Sequence, residues 1–298
     1  MAERMIWTGR GTHSGAFRVG EWRFVAALAG IWGSSFLFIS IALEALDPAL
    51  LAAGRVLLGT ATLVLVPRAH RRIERRDRPL VALAGLAGIG VPLSLFAIAQ
   101  QSVDSAVAGA FVAAIPVTAA LMHMALSRGL LRPLQMTGIG IGFLGVLGML
   151  WPALGDAEGT LSGMGLILLS VLSLGFANNL YAPLQQRYGS LTVIVWGHVA
   201  AAVAVTPFGL IGVDDSTFEL GPVIAMIVLG IVMTGVARVL HITVVGRVGP
   251  ARGAITGYAV PVVAVTLGVV VRGDTIEAVQ LAGLAVTLLG GLLISRRE

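Results

Sequence analysis

Long apolar runs, separated by short polar breaks, make up nearly all of the chain after a polar N-terminal segment. A helix needs about 20 mostly apolar residues to cross a bilayer. None of the runs alternates apolar and polar positions as a barrel strand does, so each is predicted to be a membrane helix whose backbone satisfies its own hydrogen bonds. The ten runs are 22–43, 48–67, 80–101, 105–127, 134–151, 161–181, 191–213, 221–245, 254–271 and 279–294.

Charged residues in the polar breaks alternate in sign along the chain. Arginine dominates the N-terminal tail, every second loop and the C-terminus, whereas Asp and Glu dominate the loops between them, where Arg272 is the one basic residue. Because arginine-rich loops stay in the cytoplasm, the pattern places both termini there and requires an even number of spans, in agreement with ten. The basic loop at 68–78 is interpreted as a topology anchor, with an anionic-lipid or nucleic-acid patch as the alternative.

Composition agrees with a lipid environment and excludes several kinds of chemistry. Of the 298 residues, 57% are hydrophobic and 12% charged, against about 25% charged in soluble domains. Cysteine and lysine are absent, which removes disulfides, thiolate nucleophiles, a P-loop lysine and a Schiff base. With no HExxH motif, nucleophile elbow or intramembrane aspartate pair, the chain is predicted not to be an enzyme. No cofactor, metal site or nucleic-acid partner is expected.

The two halves of the sequence resemble each other at a spacing of 145 residues, the difference between Pro116 and Pro261. The segment 105–121 aligns with 250–266, and glycines and a glutamine after these segments align at the same spacing. Five spans in each half would give the halves opposite orientations, an arrangement typical of transporters. The predicted organisation is a cytoplasmic tail at 1–21, a first five-helix repeat at 22–151 and a second at 152–298.

Small residues line one face of the fifth predicted helix. Gly138, Gly142 and Gly145 follow one another at spacings of four and three, and Gly283 and Gly290 are a weaker counterpart in the tenth helix. Such spacing allows two helices to approach closely. It predicts packing within one chain, so the protein is expected to be a monomer or a weak homodimer.

The repeated blocks and the stretch Trp32-Gly33-Ser34-Ser35-Phe36 resemble the ten-helix EamA-type members of the drug/metabolite transporter superfamily over residues 22–295. Within that superfamily the chain is similar to the YddG-like group, exporters of aromatic amino acids and of some toxic organic cations. The resemblance implies an all-α integral membrane fold of two inverted five-helix repeats around a substrate cavity. The family often has an acidic residue after the fourth and ninth helices; Asp274 fits, whereas the first half reads SRGLLRP.

Polar and aromatic side chains within the runs are the candidate substrate-binding groups. An intramembrane arginine normally faces a cavity or a partner and can hold a carboxylate with two hydrogen bonds, while snorkelling is the alternative. The resemblance adds Tyr258, whose helix it places at the central cavity. The candidate set is Trp32, Phe36, Arg55, Gln100, Asn178, Tyr181, Trp196, Arg238, His241 and Tyr258. For most of these, bonding between helices is the alternative role.

Two prolines and three histidines complete the candidate chemistry. Pro116 and Pro261 are predicted hinges, because a proline frees a backbone carbonyl and weakens its helix; a static kink is the alternative. No Asp or Glu lies well inside any run, which argues against a carboxylate proton relay or a cation pump. Coupling through His123, His198 or His241 stays open.

The sequence therefore predicts a multi-pass protein of the bacterial inner membrane that exports small organic metabolites, above all amino acids including aromatic ones. Alternating access without nucleotide hydrolysis is the expected mechanism, as a uniporter or facilitator. The expected partners are a small-molecule substrate and membrane lipid. A proton-coupled exporter of toxic organic cations, a lipid-flipping protein and a channel are the alternatives.

Overall fold

The apolar runs form helices in the computed structural model, which describes residues 19–66, 72–127, 133–154, 158–241 and 255–295. In the first half these are α1 at Val19–Ala42, α2 at Pro48–Val64, α3 at Arg78–Ala99, α4 at Ser105–Ala110 continued by Ile115–Ser127, and α5 at Pro133–Leu150. In the second half they are α6 at Glu158–Tyr188, α7 at Ser190–Ile211, α8 at Leu220–His241, α9 at Ile255–Leu267 with its extension to Arg272, and α10 at Ala278–Ser295.

Seven of the described helices, α1 and α3 to α8, are long and apolar enough to cross a membrane, and α2, α9 and α10 are shorter apolar helices. Large apolar side chains cover the outside: Leu144, Val203 and Val270 are 64%, 72% and 76% exposed. Contiguous apolar surface of this kind is a liability in water and suits lipid. An all-helical, multi-pass membrane fold is therefore confirmed. Ten spans and cytoplasmic termini stay predictions, since residues 1–18 and most arginines behind the orientation lie outside the described residues.

Local sequence explains where several helices begin. Asp47 accepts a hydrogen bond from Ala49 N at 2.7 Å, and Pro48 occupies the first turn of α2. A side-chain cap satisfies a free N–H, and a proline in the first turn loses no bond. α3 likewise has a proline in its first turn. Prolines inside α6, α7 and α9, at Pro183, Pro207 and Pro261, instead remove a helical hydrogen bond.

The most extensive contacts between helices keep their pattern when the first five helices are exchanged for the last five. α1 packs on α9 as α6 packs on α4, α2 packs on α8 as α7 packs on α3, and α3 packs on α6 as α8 packs on α1. The pairs α2 with α7, α4 with α9 and α5 with α10 map onto themselves. Two structurally related halves produce this set of contacts.

Glycines bring α5 and α10 into close contact within one chain. A Cβ on Gly138 would lie 2.8 Å from Gly290 O, and one on Gly145 would lie 2.6 Å from Gly283 O. Only glycine leaves room for two backbones at this separation. The close packing predicted from the glycine spacing is therefore confirmed.

Three helices contain a π-helical segment, at Leu86–Gly90 in α3, Leu229–Val236 in α8 and Gly268–Arg272 in α9. The first two occupy equivalent places in the two halves. Both offer a backbone carbonyl to a neighbouring helix: Trp32 Nε1 donates to Met233 O at 3.0 Å and Ser173 Oγ donates to Ala87 O at 2.7 Å. π-helical segments are frequent at functional sites, and here they define where α1 meets α8 and α6 meets α3.

The apolar core is divided into separate clusters. The largest contains Phe36, Phe96 and Phe111, while a smaller one contains Leu28 and Ala237. Trp32 packs against both clusters. This side chain therefore lies where the main core meets the end of α8.

Candidate functional site

The candidate site begins with a cation and two aromatic rings where α1 meets the end of α8. Arg238 Cζ lies 5.6 Å from the centroid of the Trp32 ring. The ring of His241, in the same last turn of α8, lies 5.0 Å from Trp32 and is tilted by 49°. Since an arginine above an indole face gains a cation–π interaction, Trp32 holds Arg238 from one side. The structure thus brings together three predicted site residues.

This part of α8 also lies against α2 and α7. Arg55 of α2 bonds Thr234, one turn before Arg238, and Val239 packs with Leu63 of α2 and with Ile194 and Val195 of α7. Tyr181 of α6 reaches α7 as well, where its hydroxyl oxygen lies 3.6 Å from the Cβ position of Gly197, next to His198. Within the described residues, Arg238 forms no ion pair with a carboxylate. These helices also carry no Asp or Glu within 48–66, 160–188, 190–213 or 220–241. The site is therefore a cationic region inside an apolar bundle.

Arg55 is buried and is held by two neutral hydroxyl groups. Its Nε donates to Thr234 Oγ1 and its Nη2 donates to Ser35 Oγ, each at 2.9 Å. Thr234 belongs to the π-helical segment of α8 and Ser35 lies in α1. Because hydroxyl acceptors leave the charge unneutralised, Arg55 adds a second positive charge to the same region.

Three buried polar atoms of this region have no hydrogen-bond partner among the residues that the structure describes: Tyr181 Oη, His198 Nε2 and His241 Nδ1. His198 places its other ring nitrogen, Nδ1, 2.8 Å from Ile194 O. Since a carbonyl only accepts, Nδ1 carries the proton and Nε2 of a neutral ring is an acceptor. Unsatisfied buried polar atoms are rare in folded proteins and call for an explanation. A ligand among them would supply the missing partners.

Asn178 lies on an inward face of α6 and is nevertheless exposed. Ile167 and Val171, eleven and seven positions earlier, share this face and are both fully buried. The outer face of α6 is marked instead by Leu169, which is 51% exposed. Asn178, three residues before Tyr181, is therefore an exposed polar residue on a face of α6 that is buried at Ile167 and Val171.

Phe36 extends the aromatic surface one turn along α1 from Trp32. Its side chain is buried and meets Phe96 edge to face, with ring centroids 5.4 Å apart and an interplanar angle of 75°. Aromatic pairs of this geometry are rigid and apolar. They provide a wall beside the cationic region.

Gln100 lies elsewhere, at the end of α3, and lines a separate pocket of about 340 Å³. Its amide nitrogen and oxygen are both buried without a partner. The other residues lining this pocket are Ser40, Leu43, Glu44, Gln101 and Arg272. Gln100 is thus not brought together with Arg238, although it faces a space of its own.

Two further residues that the sequence predicted to bind substrate, Trp196 and Tyr258, lie away from the Arg238 region. Trp196 is 42% exposed and shares the outer face of α7 with Val203. Tyr258 donates its hydroxyl to Gly291 O at 2.6 Å, which ties α9 to α10. His123, considered for ion coupling, is exposed on α4. The structure therefore gathers six of the ten predicted residues: Trp32, Phe36, Arg55, Tyr181, Arg238 and His241.

The two predicted hinges lie at irregular places in their helices. Pro116 is the second residue of the helix that follows the 3-10 turn at Phe111–Ala114, and Pro261 lies inside α9 ahead of its π-helical segment. Their role as hinges stays a prediction.

The sequence did not indicate Ser35 and Thr234 as site residues, although they hold Arg55. Each is a small hydroxyl residue in an apolar run. The one indication in the sequence is that Arg55, in another apolar run, needs hydrogen-bond acceptors.

The EamA-like transporter family matches residues 22–151 and again residues 161–296. A solved protein structure aligns with TM-score 0.61 over 93% of this chain and 98% of its own, at 20% identity, which supports the fold.

Three curated relatives span nearly the same length. The uncharacterized inner membrane transporter YedA of Escherichia coli strain K12 is 28% identical, covering 90% of this chain and 88% of YedA. A probable amino-acid metabolite efflux pump of Salmonella typhimurium is 27% identical over 89% of this chain and 91% of that protein. A probable terminal-alkyne amino-acid exporter of Streptantibioticus cattleyicolor is 26% identical over 89% of this chain and 90% of that protein. With the family matched across both halves, the chain belongs to the EamA-like transporter family.

Proposed function

We propose that this protein is a secondary transporter of a bacterial inner membrane that exports small organic metabolites, above all amino acids including aromatic ones. The observation that carries the proposal is the Arg238 region, where a guanidinium and aromatic rings meet unpartnered polar atoms inside an apolar bundle. An ionisable residue within a membrane bundle is a functional-site candidate by default. Two of the relatives are named for amino-acid efflux or export, which supports this substrate class.

Alternating access is the proposed mechanism. Ten spans in two inverted repeats, with both termini in the cytoplasm, would place the substrate between the halves. The exchange of contacts between the first and last five helices supports this organisation. Pro116 and Pro261, together with the π-helical segments of α3 and α8, supply weakened points at which the halves can bend.

Transport is proposed to follow the substrate gradient without coupling to protons. The apolar runs contain no carboxylate, the usual intramembrane proton relay and counter-ion of organic cations. The positive charges of Arg55 and Arg238 also oppose entry of a cation. The Arg238 region therefore favours a metabolite uniporter over a proton-coupled exporter of toxic cations.

Uptake of labelled phenylalanine into proteoliposomes tests this function. Purified protein is expected to equilibrate phenylalanine across the bilayer, at a rate that an imposed pH gradient does not change. Vesicles without protein set the background. Concentrative uptake driven by the pH gradient would overturn the uniport mechanism and direct attention to the histidines. Movement of lipid or organic cations without any movement of amino acids would overturn the proposed substrate class.

A further inference from the structure

We propose that Arg238 and Tyr181 bind the negatively charged group of the substrate, and that a metabolite with a net negative charge and an apolar body binds here more tightly than a zwitterionic amino acid. This inference rests on the proposed transport function and adds the net charge of the transported molecule. It concerns the region formed by the ends of α6 and α8 and the middle of α1 and α7.

The charges of the region require a negative partner. Arg55 bonds Thr234, which lies one turn before Arg238 in α8, and the stretches 48–66, 160–188, 190–213 and 220–241 contain no carboxylate. A charge inside an apolar bundle is costly unless it is paired. Arg55 has two hydroxyl acceptors, whereas Arg238 contacts the face of Trp32 and forms no ion pair within the described residues. A bound anion would neutralise Arg238 directly.

The donors around this place are suited to a carboxylate or a similar planar anion. A guanidinium offers paired N–H groups that match the two oxygens of a carboxylate. The hydroxyl of Tyr181 has no partner among the described residues and lies 3.6 Å from the Cβ position of Gly197, on the helix whose Ile194 and Val195 pack with Val239; it offers a further donor. Nε2 of neutral His198 is an acceptor, so it suits an N–H or O–H of the same ligand. Together these atoms can satisfy one anionic head group.

The walls beside these donors are apolar and aromatic. Trp32 presents its ring to Arg238, and Phe36 follows one turn later against Phe96. A ligand held by Arg238 would therefore place its remaining atoms against aromatic surface, where burial of apolar area favours binding. This argues for an anion with an apolar or aromatic body.

A free amino acid fits this region less well than the same molecule without its ammonium group. An ammonium next to two guanidinium groups is repelled, and like charges placed together weaken an interface strongly. The surrounding stretches offer no carboxylate to offset that repulsion. Removing the positive charge, by acylation of the amine or by its absence, should therefore improve binding.

Binding of four matched probes to the purified protein tests the inference. Isothermal titration would compare 3-phenylpropanoate and N-acetylphenylalanine, which are anions, with phenylalanine, a zwitterion, and phenethylamine, a cation. The anions are expected to bind at least about tenfold more tightly than phenylalanine. Phenethylamine is expected to show no binding.

Variants locate the effect. Arg238→Gln is expected to weaken binding of 3-phenylpropanoate by about tenfold or more, and Tyr181→Phe by a smaller factor, because each removes a donor. Arg76→Gln, which removes an exposed arginine paired with Glu74, is the matched control and should leave affinity unchanged. Arg238→Lys keeps the charge without the planar fork and should retain part of the affinity even if Arg238→Gln is unstable.

The outcomes separate this inference from the transport function. Equal affinity for phenylalanine and 3-phenylpropanoate, or unchanged anion binding in Arg238→Gln, would overturn the anion site. Phenylalanine transport that Arg238→Gln does not slow would leave the transport function standing and overturn the inference. Tight, Arg238-dependent anion binding without transport of any probe would support the anion site and overturn the transport function.

Discussion

At the scale of single residues, Arg55 shows how a charge is kept inside the bundle. Its two hydrogen bonds reach Ser35 and Thr234, so one side chain of α2 joins α1 and α8. The sequence identified Arg55, because a charge inside an apolar run stands out. It could not identify the partners, since Thr234 lies 179 positions away in the chain and a neutral hydroxyl has no distinctive pattern.

Replacement of Thr234 by Val tests the importance of this bond. The variant keeps the side-chain shape but leaves Arg55 Nε without its acceptor, and an unsatisfied buried group costs about 1–3 kcal/mol. We expect the detergent-solubilised variant to melt several degrees below the parent protein. Ser35→Ala should act in the same direction. Thr266→Val removes an exposed hydroxyl that bonds only Val262 O, so a similar drop in this control would contradict the explanation.

The direction of a side chain was harder to predict than its place in a helix. Tyr258 lies next to Pro261 as the sequence shows, yet its hydroxyl reaches Gly291 of α10. Trp196 lies in the first third of α7 and on its outer face, with Val203. Hydrophobic periodicity defines a face poorly in membrane helices, because lipid and core are both apolar. The sequence alone therefore could not separate these residues from Trp32 and Phe36.

At the scale of elements, the contact between α5 and α10 could be predicted from the sequence, whereas the π-helical segments could not. The contact of α5 with α10 follows from glycine spacing, because a small side chain leaves a visible pattern. The π-helical segments of α3 and α8 leave no such pattern. They depend on a shift in backbone hydrogen bonds that neighbouring helices stabilise, through Trp32 on Met233 O and Ser173 on Ala87 O. Structure is needed to find them.

Alanine substitutions on this interface should separate crowded glycines from free ones. A Cβ on Gly290 would lie 2.6 Å from Gly138 O, so Gly290→Ala should force α10 away from α5 and lower the melting temperature. Gly140 of α5 has nothing within 4 Å of its Cβ position. Gly140→Ala should therefore leave stability unchanged or raise it by up to about 1 kcal/mol through helix propensity. Thermal melts in detergent would measure both, and equal destabilisation would contradict the close contact.

At the scale of the whole molecule, two junctions between the halves occupy equivalent places. In the Arg187 junction, Arg187 at the end of α6 pairs with Asp77 at 2.8 Å and Glu74 at 3.0 Å, before α3. In the Asp47 junction, Asp47 N donates to Ser216 Oγ at 2.9 Å. Asp47 lies between α1 and α2, and Ser216 lies before α8. Exchange of the two halves converts one junction into the other.

The sequence anticipated related halves but not these junctions. A proline and three glycine or glutamine matches at a spacing of 145 residues indicated the repeat. The contacts of the two junctions are chemically different, ion pairs at one and a hydrogen bond from a backbone N–H to a hydroxyl at the other, so no alignment of one half on the other reveals them. Equivalent junctions of unequal strength would let the equilibrium between two conformations be tuned from either side.

Weakening one junction should shift the equilibrium between the two conformations. Because the chain has no cysteine, spin labels can be attached at introduced cysteines alone, Arg72→Cys and Gln186→Cys, and the distance between them measures the shift. Arg187→Gln removes a network of exposed ion pairs worth about 1 kcal/mol, enough for about a fivefold change in population. We expect more of the long inter-label distance in this variant. Ser216→Ala, at the Asp47 junction, should favour opening of the opposite side and so reduce it. Movement of both variants in the same direction would show that the two junctions do not oppose each other.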